Sequence, residues 1–193
     1  MKPLSKLEEA HLLGIRHYFI GQIMPAKYHG DAGRYNEMLY QQMGYHVNKG
    51  LGPDLPLLGW EAKCRDVNST SALTVTALHP NHIIQYPYKF SYLYAKCQKI
   101  ILTTTADCVV KDVQLLNLTS NYTQTKIEEA YEHGRKQLTK NPESLYTNYT
   151  GYYGYFENTK KGRPELDFRL TWSDCLDLQT MSNPLVESLF DWN

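Results

Sequence analysis

The chain has 193 residues, of which 42% are hydrophobic and 21% are charged. These proportions are ordinary for a folded protein, and the length is sufficient for one domain with a substantial core. The 20 Lys and Arg residues balance the 20 Asp and Glu residues. No overall positive charge therefore draws the chain onto nucleic acid, and any such contact must be local. No apolar run is long enough to span a membrane, so no membrane partner is expected.

The cysteines and a short glycine-containing segment argue against several kinds of site. The four cysteines, at positions 64, 97, 108 and 175, include no Cys-x-x-Cys pair. Neither a zinc site nor a disulfide scaffold is therefore predicted, and a reducing cytoplasm is expected. Residues 50–52, Gly-Leu-Gly, lack the Lys-Ser/Thr of a phosphate-binding loop, which argues against an ATPase. No basic-then-apolar leader is predicted.

The N-terminal part of the chain predicts two helices and a short strand. Apolar residues recur at helical spacing over 4–20, and Ser5 is a suitable N-cap for this helix. A second helix is predicted over 31–43, and Gly44 is a suitable residue to end it. Residues 45–47 are predicted to form a short strand.

The rest of the chain predicts mostly strands and one long helix. Strands are indicated by alternating or continuous apolar residues, and helices by apolar residues at helical spacing. In chain order, the predicted elements after residue 70 are a strand at 71–78, a helix at 90–98, strands at 99–105 and 108–118, a helix at 123–140, and a strand pair at 147–156 and 166–172. This order is typical of an α/β or α+β domain in which helices flank a mixed central β-sheet.

Asp54 and the sequence Glu61-Ala62-Lys63 form the most informative pattern in the chain. On a short strand, the side chains of Glu61 and Lys63 would lie on one face and that of Ala62 on the other. A turn at 55–58 would bring the Asp54 carboxylate beside Glu61. Carboxylate oxygens suit Mg²⁺, with Mn²⁺ as an alternative, and the Ala62 carbonyl would be a further ligand. The pattern therefore predicts a metal site formed by Asp54, Glu61 and Ala62.

The same pattern is suited to hydrolysis of a phosphodiester. The metal would stabilise the additional charge on the attacked phosphate and lower the pKa of a bound water. Lys63 would orient that water or offset phosphate charge. The alternative is an exposed patch of charges, since Asp and Glu-x-Lys are common in proteins. The mostly apolar segment 57–60 favours the functional interpretation, because charges at the edge of a core usually have a partner or a metal.

The spacing Asp-x6-Glu-x-Lys resembles the PD-(D/E)xK nuclease superfamily, and the surrounding sequence is similar to its MutH branch of mismatch-repair and restriction endonucleases. Residues 58–63 read LGWEAK where that branch has LGVELK, and a helix that ends in glycine precedes the motif. The similarity continues through the strand at 70–75 and the segment 96–102, where the family places a helix with a catalytic lysine that runs into a strand. The resemblance implies a restriction-endonuclease-like fold, with Lys96 as an additional catalytic lysine.

The chain departs from the family pattern at the acid on the preceding helix. Family members carry this acid near the C-terminal end of the helix, where this chain has Tyr40-Gln41-Gln42. The nearest acid is Glu37, about one turn earlier. Two interpretations stay open: Glu37 is a catalytic acid that reaches the metal, or it is a solvated helix residue.

Basic residues outside the motif are candidates for contacts with DNA phosphates. They are Lys89, Lys99 and three residues of the loop at 158–164, namely Lys160, Lys161 and Arg163. Glycine and proline in that loop are typical of a hairpin, and its tip would be able to enter a DNA groove. For each of these residues, the alternative is a solvated surface charge.

These features predict a single nuclease domain over 1–193, with N-terminal helices at 1–44, a catalytic core at 45–118 and a C-terminal part at 119–193 that contributes to DNA recognition. The predicted activity is Mg²⁺-dependent endonucleolytic hydrolysis of double-stranded DNA by a sequence-specific restriction or nicking enzyme. The resemblance implies a cytoplasmic protein of a prokaryote or phage. A structure-specific junction resolvase and a non-catalytic nucleic-acid-binding module are the alternatives, and a monomer and a homodimer are equally compatible with the sequence.

Overall fold

The computed structural model describes residues 4–25, 31–69, 71–141, 153–158 and 162–171. The helices in these ranges are α1 (Lys6–Phe19), α2 (Asp31–Gln42), α3 (Pro80–Gln85), α4 (Tyr92–Lys96) and α5 (Asn121–Lys140), with a 3-10 turn at Tyr88–Phe90. The strands are β1 (Glu61–Asp66), β2 (Leu73–Leu78), β3 (Lys99–Ala106), β4 (Val109–Asn117), β5 (Gly154–Glu157) and β6 (Leu166–Leu170). None of the helices in the described ranges combines the length and the apolar character needed to cross a membrane.

The first sheet contains β1, β3 and β4, with β3 in the middle. β1 runs parallel to β3, with Glu61 paired to Ile100 and Lys63 paired to Leu102, and β4 is antiparallel to β3. The three consecutive apolar residues of β3, at 100–102, are fully buried. Such a run is typical of a strand that is covered on both faces. Because successive side chains alternate, Glu61 and Lys63 lie on the same face of the sheet as Ile100 and Leu102.

The two faces of this sheet contact two different hydrophobic clusters. Ile100 and Leu102 belong to a cluster with side chains of α3, α4, α5 and the second sheet. Ile101 belongs to the other cluster, together with side chains of α1 and α2, and Ala62 packs against that cluster. Ala62 therefore turns into the core, as predicted, while Glu61 and Lys63 lie on the opposite face of β1.

The second sheet contains β2, β6 and β5, with β6 in the middle and all pairs antiparallel. In β2 the apolar residues Leu73, Val75 and Leu78 are buried, whereas Thr74 and Thr76 are half-buried. A register shift separates these two threonines. Alternation of this kind is typical of a strand with one face on the core and one face toward solvent.

The predicted α+β class is confirmed, with the strands divided between two three-stranded sheets of which the first is mixed. The predicted N-cap of α1 is also confirmed. Ser5 Oγ accepts a hydrogen bond from the Glu8 N–H, and the Glu8 carboxylate accepts one from the Ser5 N–H. Gly44, predicted to end α2, lies just beyond it with a φ of +84°. The parts of the predicted C-terminal strands at 147–152 and at 172 lie outside the described residues.

Two predictions of secondary structure differ from the structure. Residues 45–47 form no strand, because the chain leaves α2 in a turn in which the Tyr45 N–H donates to the Tyr40 carbonyl at 3.0 Å. The helix predicted over 90–98 is shorter than expected. Ser91 has an extended backbone (φ −84°, ψ 157°) that separates the 3-10 turn from α4, so within 90–98 only the five residues Tyr92–Lys96 are α-helical.

Candidate active site

Asp54 is brought beside β1 by a tight turn. The Leu55 N–H donates to the Trp60 carbonyl at 2.9 Å, and the Trp60 N–H donates to the Leu55 carbonyl at 3.2 Å. Gly59 lies inside the turn with a φ of +67°, a conformation that glycine adopts without strain. Leu55 and Trp60 are both almost fully buried and attach the turn to the core. The chain therefore reverses direction between Asp54 and Glu61, as the sequence predicted.

Each of the two carboxylates accepts a hydrogen bond from a backbone N–H that lies at, or next to, the other acid in the chain. The Asp54 N–H donates to Glu61 Oε2 at 3.3 Å, and the Ala62 N–H donates to Asp54 Oδ2 at 3.0 Å. This reciprocal arrangement limits the movement of both carboxylates, because each hydrogen bond joins the end of the turn to the first residues of β1. The acids are thus preorganised by main-chain atoms rather than by each other.

Two lysines neutralise the buried acid. Glu61 is 1% exposed, and its Oε1 accepts a hydrogen bond from Lys63 Nζ at 2.6 Å. Lys96 Nζ donates to both oxygens of Glu61, at 3.1 and 2.9 Å. Both ammonium groups also lie 3.9 Å from an oxygen of Asp54. A carboxylate this buried would be costly without such partners, so these four side chains form one charge-balanced group, which we call the acid–lysine cluster.

Lys96 reaches this cluster because of the connection between α4 and β3. It is the last residue of α4, and the next residue, Cys97, is buried and donates its N–H to the Leu93 carbonyl at 2.8 Å. β3 begins at Lys99 and is the direct neighbour of β1. The end of α4 therefore lies next to the beginning of β1, where Glu61 is located. The lysine indicated by the family resemblance is brought together with Asp54, Glu61 and Lys63.

Glu37 lines the same cleft as the acid–lysine cluster. It is half-buried on α2, the helix that packs against β1. Among the described residues it makes no hydrogen bond or ion pair. Within that part of the chain, no three acidic, histidine or cysteine side chains converge closely enough to hold a metal by themselves. Glu37 is therefore near the motif but does not complete a three-carboxylate site with Asp54 and Glu61.

The cluster lies in an open cleft of about 470 Å³. The loop after α2 contributes Asn48, Lys49 and Gly50 to its wall, and β2 contributes Thr74 and Thr76 together with the intervening valine. None of these polar residues was predicted from the sequence to be part of a site. The only sequence feature that could have indicated the loop was the glycine-containing segment at 50–52, shortly before Asp54. Nothing in β2 distinguishes its threonines from those of an ordinary half-buried strand.

Of the predicted DNA-contacting residues, Lys89, Lys99 and Arg163 do not line this cleft. Lys99 forms an ion pair with Glu8 of α1, and it follows from the alternation along β3 that its side chain lies on the face opposite Glu61 and Lys63. Arg163 is exposed, and its carbonyl accepts a hydrogen bond from the Asn158 side chain at 3.4 Å. Lys160 and Lys161 lie outside the described residues. A role in DNA contact stays a prediction for these residues and for Lys89, which forms an ion pair with Glu128.

The fold is similar to that of a restriction endonuclease. The structure of MvaI, solved as a complex of the restriction endonuclease with its cognate DNA substrate, matches with a TM-score of 0.50 over 91% of this chain and 97% of that chain. The chain has a restriction-endonuclease-like fold. Sequence identity to MvaI is 9%, so the likeness concerns the fold alone. No protein-family model and no curated protein matches the sequence.

Proposed function

We propose that this protein is a metal-dependent deoxyribonuclease that hydrolyses phosphodiester bonds in double-stranded DNA. The observation that carries the proposal is the contact of Asp54, Glu61, Lys63 and Lys96 with one another beside an open cleft. Two carboxylates and two lysines in a restriction-endonuclease-like fold are suited to a phosphate ester. The DNA bound to MvaI, a protein of similar fold, supports DNA as the substrate.

The oxygens of Asp54 and Glu61 fit a hard divalent cation, Mg²⁺ or Mn²⁺, and the Ala62 carbonyl would be a third protein ligand. Asp54 Oδ2 is engaged by the Ala62 N–H, whereas Asp54 Oδ1 accepts no hydrogen bond from the described part of the chain. Mg²⁺ often takes only one or two carboxylates and completes its shell with water and substrate phosphate, so a two-carboxylate site is sufficient. When bound, the cation would supply positive charge at the attacked phosphate.

The reaction forms a bond between a water oxygen and phosphorus and breaks one ester bond from phosphorus to oxygen. The water gives up a proton, and the leaving oxygen gains one. Lys63 is partly exposed beside both carboxylates, so its ammonium group would orient the water or offset charge on the phosphate. Lys96 is more deeply buried and would keep Glu61 oriented while adding positive charge at the same place. Glu37 would add negative charge at the edge of this site.

Within this class we favour a sequence-specific restriction or nicking enzyme of the MutH branch. The support for the branch is the sequence LGWEAK at 58–63 and the extra lysine at the end of a helix before a strand. A junction resolvase is less favoured because members of that group tend to be more basic, whereas this chain has a net charge of zero. A non-catalytic DNA-binding module would not need all four residues of the acid–lysine cluster.

The test is cleavage of supercoiled plasmid, methylated and unmethylated, by the purified chain with Mg²⁺, with Mn²⁺ or with EDTA. Asp54→Asn and Lys63→Ala should each lower the cleavage rate by at least about 100-fold, a loss typical of groups that act in the transition state. Lys111→Ala is the matched control, because Lys111 is exposed on β4, does not line the cleft and makes no ion pair within the described residues. It should cut as the unmodified chain does.

The products distinguish the alternatives. Discrete linear fragments indicate a restriction enzyme, and open circles alone indicate a nicking enzyme. Cleavage of a four-way junction but not of plasmid would favour a resolvase. Binding of duplex without cleavage in either metal would favour a non-catalytic module, and cleavage that survives both substitutions would exclude the acid–lysine cluster as the active site.

A further inference from the structure

The wall of the cleft next to Asp54 is formed by a loop at 48–52. Asn48, Lys49 and Gly50 of this loop line the cleft. Lys49 is exposed, and an exposed lysine is ordinarily a solvated charge. The surroundings of Lys49 differ from that ordinary case in two ways: the loop that carries it is tied to the acid–lysine cluster, and the other lysines of the cleft are already paired.

The loop is attached to the segment before Asp54 through Asn48. The Asn48 N–H donates to the Asp54 carbonyl at 2.8 Å, and the Asn48 side chain donates to the Pro53 carbonyl at 3.4 Å. Asn48 Oδ1 also accepts a hydrogen bond from the Gly50 N–H at 3.0 Å. The side-chain amide of Asn48 therefore joins both ends of the loop, and the position of Lys49 is coupled to that of Asp54.

The two glycines of the loop pack closely against the Asn48 side chain. A Cβ atom at Gly50 would lie 3.1 Å from Asn48 Oδ1, and a Cβ atom at Gly52 would lie 3.3 Å from Asn48 Nδ2. Both distances are tighter than ordinary carbon contacts, so a side chain at either position would push the Asn48 amide away by a few tenths of an ångström. The loop has a defined shape with Lys49 at its edge, rather than being a loose connection.

The charges that line the cleft explain why binding of DNA would need a further cation such as Lys49. Lys63 and Lys96 are engaged by the buried Glu61 carboxylate. Lys49 also lines the cleft, and it has no ion-pair partner within the described residues. A DNA strand that crosses the cleft presents several phosphates, and the acidic side chains Glu37 and Asp54 would repel them. An unpaired cation at the edge would offset this repulsion for a phosphate outside the reacting centre.

We propose that Lys49 binds a DNA backbone phosphate next to the one that is hydrolysed, and that Asn48 is the positioning residue that holds Lys49 there. This inference rests on the proposed function and extends it to the substrate strand. A contact of this kind provides affinity and register without reading the base sequence. It also predicts a measurable contribution to the salt dependence of binding, because each neutralised phosphate releases counterions.

The test is equilibrium binding of a labelled duplex in EDTA over a series of NaCl concentrations. The duplex carries a site that the unmodified chain cuts in the plasmid assay. Lys49→Gln should weaken binding and reduce the slope of log affinity against log salt by about 0.9, the value for one lost phosphate contact on duplex DNA. Lys111→Gln, which removes another exposed lysine outside the cleft, should leave the slope unchanged. An unchanged slope in Lys49→Gln overturns the proposal.

The role of Asn48 has its own pair of variants. Asn48→Ser retains an uncharged acceptor for the Gly50 N–H and should keep more of the salt slope than Asn48→Ala. Asn48→Ala loses the side-chain bonds to Gly50 and Pro53 and should reduce the slope toward that of Lys49→Gln. Equal slopes in Asn48→Ala and in the unmodified chain would exclude the positioning role. Urea unfolding of each variant detects loss of folding.

If the unmodified chain neither binds nor cuts any duplex, the proposed function itself fails. If it cuts and Lys49→Gln keeps the full slope, only this inference fails.

Discussion

Lys96 Nζ donates to both carboxylate oxygens of Glu61, although the two residues are 35 positions apart in the chain. The side chain of Glu61 is 1% exposed and that of Lys96 is 8% exposed, so the pair is shielded from solvent. Its position between the end of α4 and the first residue of β1 means that the same contact orients a candidate catalytic acid and joins two elements of the fold. Stability and activity are therefore expected to respond together when it is broken.

Lys96→Met should lower the free energy of unfolding by about 1–3 kcal/mol, the cost of leaving a buried polar group without its partner. The loss should be smaller than for an isolated buried pair, because Glu61 retains Lys63 at 2.6 Å. The measurement is urea unfolding at neutral pH, with Lys111→Met as the control for loss of an exposed lysine. Adding Glu61→Gln to Lys96→Met should recover part of the lost stability, because the uncompensated charge is removed. Unchanged stability in Lys96→Met would show that the pair contributes nothing to folding.

The parts of the site that could be predicted from the sequence are those that depend on local geometry. The turn between Asp54 and Glu61 spans few residues, and strand alternation alone places Glu61 and Lys63 on one face with Ala62 on the other. Strand β3 was likewise indicated by its continuous apolar residues at 100–102. Sequence spacing could not predict Lys96 as a residue of the site, because its contact with Glu61 depends on how α4, β3 and β1 pack together. That residue was indicated only by the family resemblance.

The remaining features depend on contacts between distant segments. Lys49 belongs to no motif, and its place in the cleft follows from the hydrogen bonds of Asn48 to the segment before Asp54. The division of the strands into two sheets depends on which strands pair, as when β2 pairs with β6 rather than with its neighbours in the chain. The predicted strand at 45–47 had suitable residues but pairs with no strand in the described part of the chain, and the Tyr45 N–H donates to Tyr40 of α2 instead.

Mg²⁺ should stabilise the folded chain if Asp54 and Glu61 hold it. At a free Mg²⁺ concentration about ten times the dissociation constant, the gain is about 1.4 kcal/mol, which for a chain of this size raises Tm by about 3–6 °C. The measurement is thermal unfolding with increasing Mg²⁺, and it does not depend on cleavage. Asp54→Asn should abolish the increase, whereas Glu9→Gln, which removes an exposed acid of α1, should retain it. The absence of any increase with Mg²⁺ and with Mn²⁺ would contradict a metal site at these two acids.

Glu37→Gln tests which of the two interpretations of Glu37 is correct. Because Glu37 lines the cleft and makes no ion pair within the described residues, its charge is free to act on a cation at the acid–lysine cluster, directly or through water. We expect the Mg²⁺ concentration for half-maximal cleavage to rise about tenfold, as is typical for groups that support metal ligands. The rate at saturating Mg²⁺ should change less. Identical Mg²⁺ dependence in Glu37→Gln and in the Glu9→Gln control would identify Glu37 as a solvated helix residue.

The contact between α1 and β3 predicts a specific dependence of stability on pH. Burial raises the pKa of Glu8, but hydrogen bonds from the Lys99 side chain and from Ser5 outweigh it and lower the pKa from 4.5 to about 2. A carboxyl whose pKa is lowered by folding stabilises the folded state above its unfolded pKa, and this contribution is lost as the pH falls through the folded value. The contribution of Glu8 should therefore disappear between about pH 4.5 and pH 2.

Lys99→Gln removes the ammonium group that engages Glu8 and is the variant that tests this dependence. Its free energy of unfolding should be lower than that of the unmodified chain by a constant amount above about pH 4.5, and the difference should shrink as the pH falls toward 2. Urea unfolding at a series of pH values measures it, and Lys111→Gln should show no such convergence. A difference that stays constant down to the lowest pH would mean that Lys99 does not lower the pKa of Glu8. The same variant in the duplex-binding assay addresses the predicted DNA contact, because a lysine held by Glu8 on the face opposite Glu61 should contribute little to the salt slope.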